Sequence, residues 1–105
     1  IQQAAEIERI LNTSPLDPYA VLGYKLPYTS IELTSVKAQY RKLSRYVHPD
    51  RCKHEQARDA FERLKRADAD IEDDEKRTTF LEAVGEAYLE VIYQKNLSAR
   101  RLQHD

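Results

Sequence analysis

The chain has 105 residues, about the length of one domain, with 41% hydrophobic and 33% charged residues. Seventeen basic and eighteen acidic side chains nearly cancel, so a wholly basic nucleic-acid binder is not expected. No apolar run reaches about 18 residues, so we expect no membrane span.

The near-zero net charge hides a separation along the chain. Between Thr34 and Lys53 there are six bases and one acid, whereas between Asp68 and Glu90 there are nine acids and two bases. One basic and one acidic surface can steer partners even when the net charge is small. The single cysteine, Cys52, excludes an internal disulfide and fits a reducing compartment.

Helical periodicity predicts an all-α fold, because no strand-like alternation extends over a useful length. The first ten-residue pattern places Ala4, Ile7, Ile10 and Leu11 on one face of a short helix. Such a helix is too short to hold alone, and we expect it to lie on the end of the last helix. The stretch "DPYAVLG" then predicts one or two helical turns, with Asp17 as N-cap and Gly23 as the stop.

A third helix is predicted from about residue 31 to 47, with Thr29 and Glu32 spaced as a capping box. Its apolar side chains fall within an arc of about 60°; they are Val36, Tyr40, Leu43 and Val47. The opposite face is basic and consists of Lys37, Arg41, Lys42 and Arg45. Pro49 ends this helix, because the residue before a proline is disfavoured in the α region.

A fourth helix is predicted from about residue 56 to 71, antiparallel to the third. Its apolar face includes Phe61 and Leu64, and it also contains Asp68, which we expect to pair with a base on a neighbouring helix. A fifth helix should begin near Asp73 or Asp74 and run past Lys95. Its predicted inward residues are Phe80, Val84, Ala87, Tyr88 and Val91. Gly85 lies among them and predicts a close helix contact, since a helical glycine costs about 1 kcal/mol relative to alanine.

The loop "HPDRCKH" between the third and fourth helices permits several readings. His48, Cys52 and His54 could be metal ligands, but a structural zinc needs four nitrogen or sulfur ligands in recognisable pairs. His48 and Asp50 could act as acid and base, but they lack a pocket and an orienting third group. A DNA-binding helix-turn-helix has a shorter turn, and its second helix carries the basic residues. An ordinary helix stop beside a solvated basic face remains open.

The order of four motifs resembles the J domain of the DnaJ co-chaperones. They are "DPYAVLG", "VKAQYRKLSRYVHPDR", "ARDAFERLKRA" and "DDEKRTTF", which together cover residues 17–81. Asp68 departs from the family, which usually has an aromatic residue at that position. The upstream "EIERIL" and the downstream "FLEAVGEAYLEVI" resemble the small J proteins associated with pre-mRNA splicing.

The resemblance implies a co-chaperone that docks on the ATPase domain of a 70-kDa heat-shock chaperone and stimulates ATP hydrolysis. It performs no chemistry itself and needs no cofactor or metal. The implied docking residues are the tip, His48, Pro49 and Asp50, and the basic face, Lys37, Arg41, Lys42 and Arg45. Asp50 would pair with a chaperone arginine. The alternative is a helical scaffold in a splicing assembly, binding protein or RNA, with little co-chaperone activity.

The implied organisation has three parts. Residues 1–16 form an N-terminal flanking helix, residues 17–81 a J domain, and residues 82–105 a helical extension continuous with the last J-domain helix. We expect a monomer without membrane contact, in the nucleus or alternatively the cytoplasm. The flanking helices are candidates for contact with a spliceosomal or other assembly, and direct nucleic-acid binding is not expected. Because the chain starts at Ile1, we expect it to be a piece of a longer protein.

Overall fold

The computed structural model describes the backbone of residues 2–104 and the side chains of residues 3–91 and 93–95. Within these residues the chain forms five helices and no strand, which confirms the all-α prediction. They are α1 (Gln2–Asn12), α2 (Pro18–Val21), α3 (Leu33–Tyr46), α4 (Ala57–Glu72) and α5 (Asp74–His104). No described helix is both long and apolar enough to cross a bilayer.

Helix α4 is the centre of the fold, because α1, α2, α3 and α5 all pack against it. Its small and aliphatic side chains form the contact surface, and the buried ones are Ala57, Ala60, Leu64, Ala67 and Ile71. The pair α3 and α4 is antiparallel: Lys37 near the start of α3 contacts Asp68 near the end of α4. This arrangement fixes the loop between them at one end of the molecule.

Helix α1 is held on α4, and not on the end of α5 as its sequence suggested. Ile7 and Ile10 are completely buried in the common core. Arg63 of α4 donates a hydrogen bond to the Leu11 carbonyl at 3.2 Å. Arg9 donates to two carbonyls of α2, including that of Ala20 at 3.0 Å. These bonds fasten α1 to α2 and α4 through carbonyls near helix ends, where acceptor capacity remains for side chains.

The start of α2 confirms the predicted cap, whereas the start of α3 does not. Asp17 accepts from the Ala20 N–H at 3.0 Å, and Gly23 ends the turn with φ +90. Asp17 also accepts from the Tyr28 hydroxyl at 2.9 Å, which ties the following loop to α2. The predicted capping box is wrong: Glu32 is the N-cap of α3, and it makes no capping hydrogen bond through its side chain.

Helix α5 packs on the core only through its first turns. Phe80 stacks near Tyr19 with 6.1 Å between ring centroids, and Val84 is half-buried. Farther along, Ala87 is exposed and Val91 is 52% exposed, so their predicted inward positions are wrong. Beyond its first turns α5 therefore extends past the core. The close contact predicted at Gly85 is also absent, because a Cβ placed there would meet nothing within 4 Å.

Candidate docking site on helix α3 and the following turn

The tripeptide His48–Asp50 forms a closed turn directly after α3. The His48 carbonyl accepts hydrogen bonds from the N–H groups of Arg51 at 2.9 Å and Cys52 at 2.8 Å. The Asp50 N–H donates to His48 Nδ1 at 3.1 Å. Pro49 fixes its own φ, so the backbone of the turn is restrained by ring and hydrogen bonds together.

The His48 ring braces this turn against α4. It is half-buried and lies edge-on to Phe61, with ring centroids 4.8 Å apart. Its Nδ1 accepts the hydrogen bond from the Asp50 N–H, and Asp50 Oδ2 lies 3.7 Å from the same nitrogen. Phe61 lies on the predicted apolar face of α4, but it is only half-buried, and its ring contacts His48 of the turn.

Asp50 points its carboxylate into solvent. Its side chain is 90% exposed, although its backbone is held in the turn. An exposed carboxylate on a restrained backbone loses little conformational freedom when it meets a partner cation. The turn therefore presents one acid in a defined position.

Three cations on the second half of α3 are exposed. Arg41, Lys42 and Arg45 form no ion pair among the side chains that the structure describes, and Arg45 Nε donates only to the Arg41 carbonyl at 3.3 Å. Arg51 joins Lys42 and Arg45 around a shallow depression. Arg51 is not among the docking residues predicted from the sequence, although it lies in the same basic stretch, residues 34–53.

Lys37 differs from these exposed cations because it is paired with acids of the same chain. Its Nζ lies 2.7 Å from Asp68 Oδ2 and 2.9 Å from Glu72 Oε1 on α4. The hydrogen bond with Asp68, followed by that with Glu72, raises the pKa of Lys37. The base expected opposite Asp68 is therefore Lys37, and its charge is already compensated within the chain.

The other candidates in the loop have separate positions. Cys52 is 4% exposed and belongs to the core. His54 Nδ1 accepts from the Gln56 N–H at 3.1 Å, which repeats the local geometry of His48. Within the side chains described, no three His, Cys, Asp or Glu residues are grouped so that they could hold a metal ion.

Comparison with known proteins identifies the matching family and several relatives. The family model of the DnaJ domain matches residues 17–80. J domain-containing protein spf31 of Schizosaccharomyces pombe is 34% identical over 99 residues, 93% of this chain and 46% of that protein. DnaJ homolog subfamily C member 16 of Homo sapiens is 33% identical over 100 residues, 93% of this chain and 12% of that protein.

A bacterial relative matches a shorter part of the chain. Chaperone protein DnaJ of Geobacillus thermodenitrificans is 41% identical over 64 residues, 61% of this chain and 16% of that protein. The chain thus spans less than half the length of each of these relatives. No solved structure matches it.

Proposed function

Because this chain belongs to the DnaJ domain family, whose members generally partner with 70-kDa heat-shock chaperones, we propose that it stimulates ATP hydrolysis by such a chaperone. The observation that carries the proposal is the exposed Asp50 carboxylate, which stands on a turn braced by His48 against Phe61. The preceding helix carries the exposed cations Arg41, Lys42 and Arg45, and the last two of them surround a depression together with Arg51, which directly follows Asp50.

The two kinds of group have different parts in docking. The cations accelerate encounter with an acidic surface and set its orientation, although each exposed pair contributes only about 0.2–1 kcal/mol. Asp50 then pairs with an arginine of the chaperone. If that arginine is accessible only in the hydrolysis-competent state, docking favours that state through differential contacts. The chain supplies no catalytic group of its own to the reaction.

Single-turnover ATPase measurements with a purified 70-kDa chaperone test this proposal. His48→Gln and Asp50→Asn should each abolish stimulation while the helical content remains that of the wild type. His54→Gln is the matched control for the first, because His54 makes the same backbone contact outside the tripeptide. Asp59→Asn, at an exposed position of α4, is the control for the second. Full stimulation by the two tip variants would overturn the proposal.

A second candidate function is a helical scaffold in a larger assembly, in which the flanking helices contact protein or RNA. Its support is that the similarity to spf31 extends over 99 residues, beyond the matched family domain and into both flanking helices. Filter binding of single-stranded RNA at two salt concentrations separates an RNA-associated scaffold from a co-chaperone. Salt-sensitive RNA binding without ATPase stimulation would favour the scaffold, whereas stimulation without RNA binding favours the co-chaperone.

A further inference from the structure

An apolar groove runs between α5 and the loop that precedes α3, and the proposed docking on a chaperone does not use it. Loop residues 26–29 form one wall, and Leu81, Val84, Tyr88 and Leu89 form the other. The groove has a volume of about 250 Å³. Leu26 is 48% exposed and Leu89 is 67% exposed, so both walls end in apolar side chains that face solvent.

Gly85 lies in this groove, and no packing contact among the described residues requires a glycine at this position. A Cβ at this position would meet nothing within 4 Å, so no neighbouring helix requires the missing side chain. In the middle of a helix a glycine costs about 1 kcal/mol relative to alanine. Glycine is found where another backbone or a ligand approaches closely. The open position in the groove therefore suits an element that comes from outside the chain.

The charges beside the groove restrict what that element can be. Glu82, Glu86 and Glu90 are exposed at spacings of four residues, so they form one acidic edge next to Leu89. Between residues 78 and 94 the helix has no lysine or arginine. The loop wall adds one exposed base, Lys25. The net charge of the exposed residues beside the groove is therefore negative, which favours a basic partner.

A second copy of this chain does not fit that requirement. Pairing α5 with α5 would bring two sets of the same three glutamates together, and like charges in contact are unfavourable. The chain's own basic amphipathic helix, α3, already buries its apolar side through Val36 and Leu43. Neither of these segments therefore suits the groove, and the charge pattern favours a different protein as the occupant.

We propose that the groove between residues 26–29 and α5 binds an amphipathic helix of another protein, with apolar residues at helical spacing and lysine or arginine along one flank. This is recognition of a helix in a groove, in which apolar anchors supply affinity and the charged flank supplies orientation. Helix α5 begins at the end of α4 opposite to the His48–Asp50 turn. Occupation of the groove therefore leaves the turn accessible.

Two designed peptides test the chemistry of the occupant. Each has about 18 residues, enough for a marginal helix, with leucine at i, i+3, i+4 and i+7. One carries lysine on the flank and the other glutamate. By fluorescence anisotropy the basic peptide should bind the wild-type chain at least ten-fold more tightly than the acidic peptide. A third peptide, with the leucines replaced by glutamine and the lysines retained, should lose binding if the apolar groove is the site.

Variants of the chain locate the binding. Gly85→Leu extends a side chain into the groove from a position where a Cβ meets nothing within 4 Å, and Leu89→Gln removes an exposed anchor; each should weaken binding of the basic peptide at least ten-fold. Ala83→Leu adds the same side chain at an exposed position of the same helix and should leave binding unchanged. Wild-type affinity in both groove variants would overturn the proposal. So would a wild-type dimer in sedimentation that Leu89→Gln converts to monomers, because a second copy would then occupy the groove.

Discussion

Lys37 and Asp68 form an ion pair between α3 and α4, with 2.7 Å between Nζ and Oδ2. The Asp68 side chain is 11% exposed, whereas the Lys37 side chain is 36% exposed. The pair therefore connects a buried acid to a base at the edge of the basic face. The second oxygen, Oδ1, is buried and has no hydrogen-bond partner among the described residues. The acid depends on Lys37 for most of its compensation.

Removal of Lys37 should destabilise the fold. Lys37→Met leaves Asp68 buried without its cation, which should lower the free energy of unfolding by about 1–3 kcal/mol. The double variant Lys37→Met, Asp68→Leu should return to within about 1 kcal/mol of the wild type, because apolar packing often replaces a buried ion pair without loss. Urea unfolding of the two single variants and the double variant measures the coupling. Additive effects would show that the pair contributes nothing.

The exposed cations should control docking in a way that Lys37 does not. Arg41→Glu should weaken chaperone binding about ten-fold or more in low salt, because it reverses a charge that has no ion-pair partner among the side chains that the structure describes. Raising the salt concentration should reduce wild-type binding in the same direction. Lys37→Met is the matched control and should change the affinity less than three-fold. Isothermal titration calorimetry at two salt concentrations measures the affinities of the wild type and the two variants. Salt-independent binding of the wild type would contradict the prediction.

The contrast between Lys37 and Arg41 shows what the sequence could predict. Helix bounds and the cap at Asp17 follow from local periodicity and residue type, and the structure confirms them closely. The partner of Lys37 depends on which residue of α4 lies opposite, which is a tertiary property. The close helix contact predicted at Gly85 is wrong, because periodicity alone does not show at which residue α5 leaves the core.

The same limit applies to the turn. The sequence marked His48 and Asp50 through the proline between them, since such a residue stops a helix. It did not distinguish a histidine held against a neighbour from an exposed carboxylate, because the ring contact between His48 and Phe61 joins the turn to α4 and is a tertiary contact. In the structure His48 holds the turn against α4, whereas the Asp50 carboxylate is exposed to solvent.

Loss of the Phe61 ring should affect the turn more than the fold. Phe61→Leu retains apolar volume on a half-buried position, so the free energy of unfolding should fall by less than about 1.5 kcal/mol. The His48 ring then loses its edge-on partner, and the stimulated ATPase rate should fall several-fold through weaker positioning of Asp50. Leu64→Val, in the buried core, is the control and should reduce stability with little change in stimulation. NMR spectra of the His48 ring would show the altered contact directly.

Stability should decline in alkaline solution because of Tyr28. Burial, followed by the hydrogen bond to Asp17, raises the pKa of the Tyr28 phenol. The folded chain then holds this proton more tightly than the unfolded chain, so the stabilisation is complete below about pH 10 and is lost as the pH rises further. Tyr28→Phe should make the decline shallower, although burial also raises the pKa of Tyr19 and Tyr40. Urea unfolding between pH 8 and 11 measures the slope; Tyr93→Phe, at a 58% exposed position, should leave it unchanged.

The contacts of α1 imply that this helix is part of the fold rather than a free arm. Ile10 is completely buried, and Arg9 and Arg63 connect α1 to α2 and α4 through backbone carbonyls. Ile10→Ala should therefore lower the free energy of unfolding by about 2–4 kcal/mol, as expected for an aliphatic side chain removed from a core. Deletion of residues 1–12 should lower the melting temperature further, since it also removes Ile7. Glu8→Ala, at an exposed position of the same helix, is the control and should have little effect. An unchanged melting temperature after the deletion would show that α1 does not contribute to the core in solution.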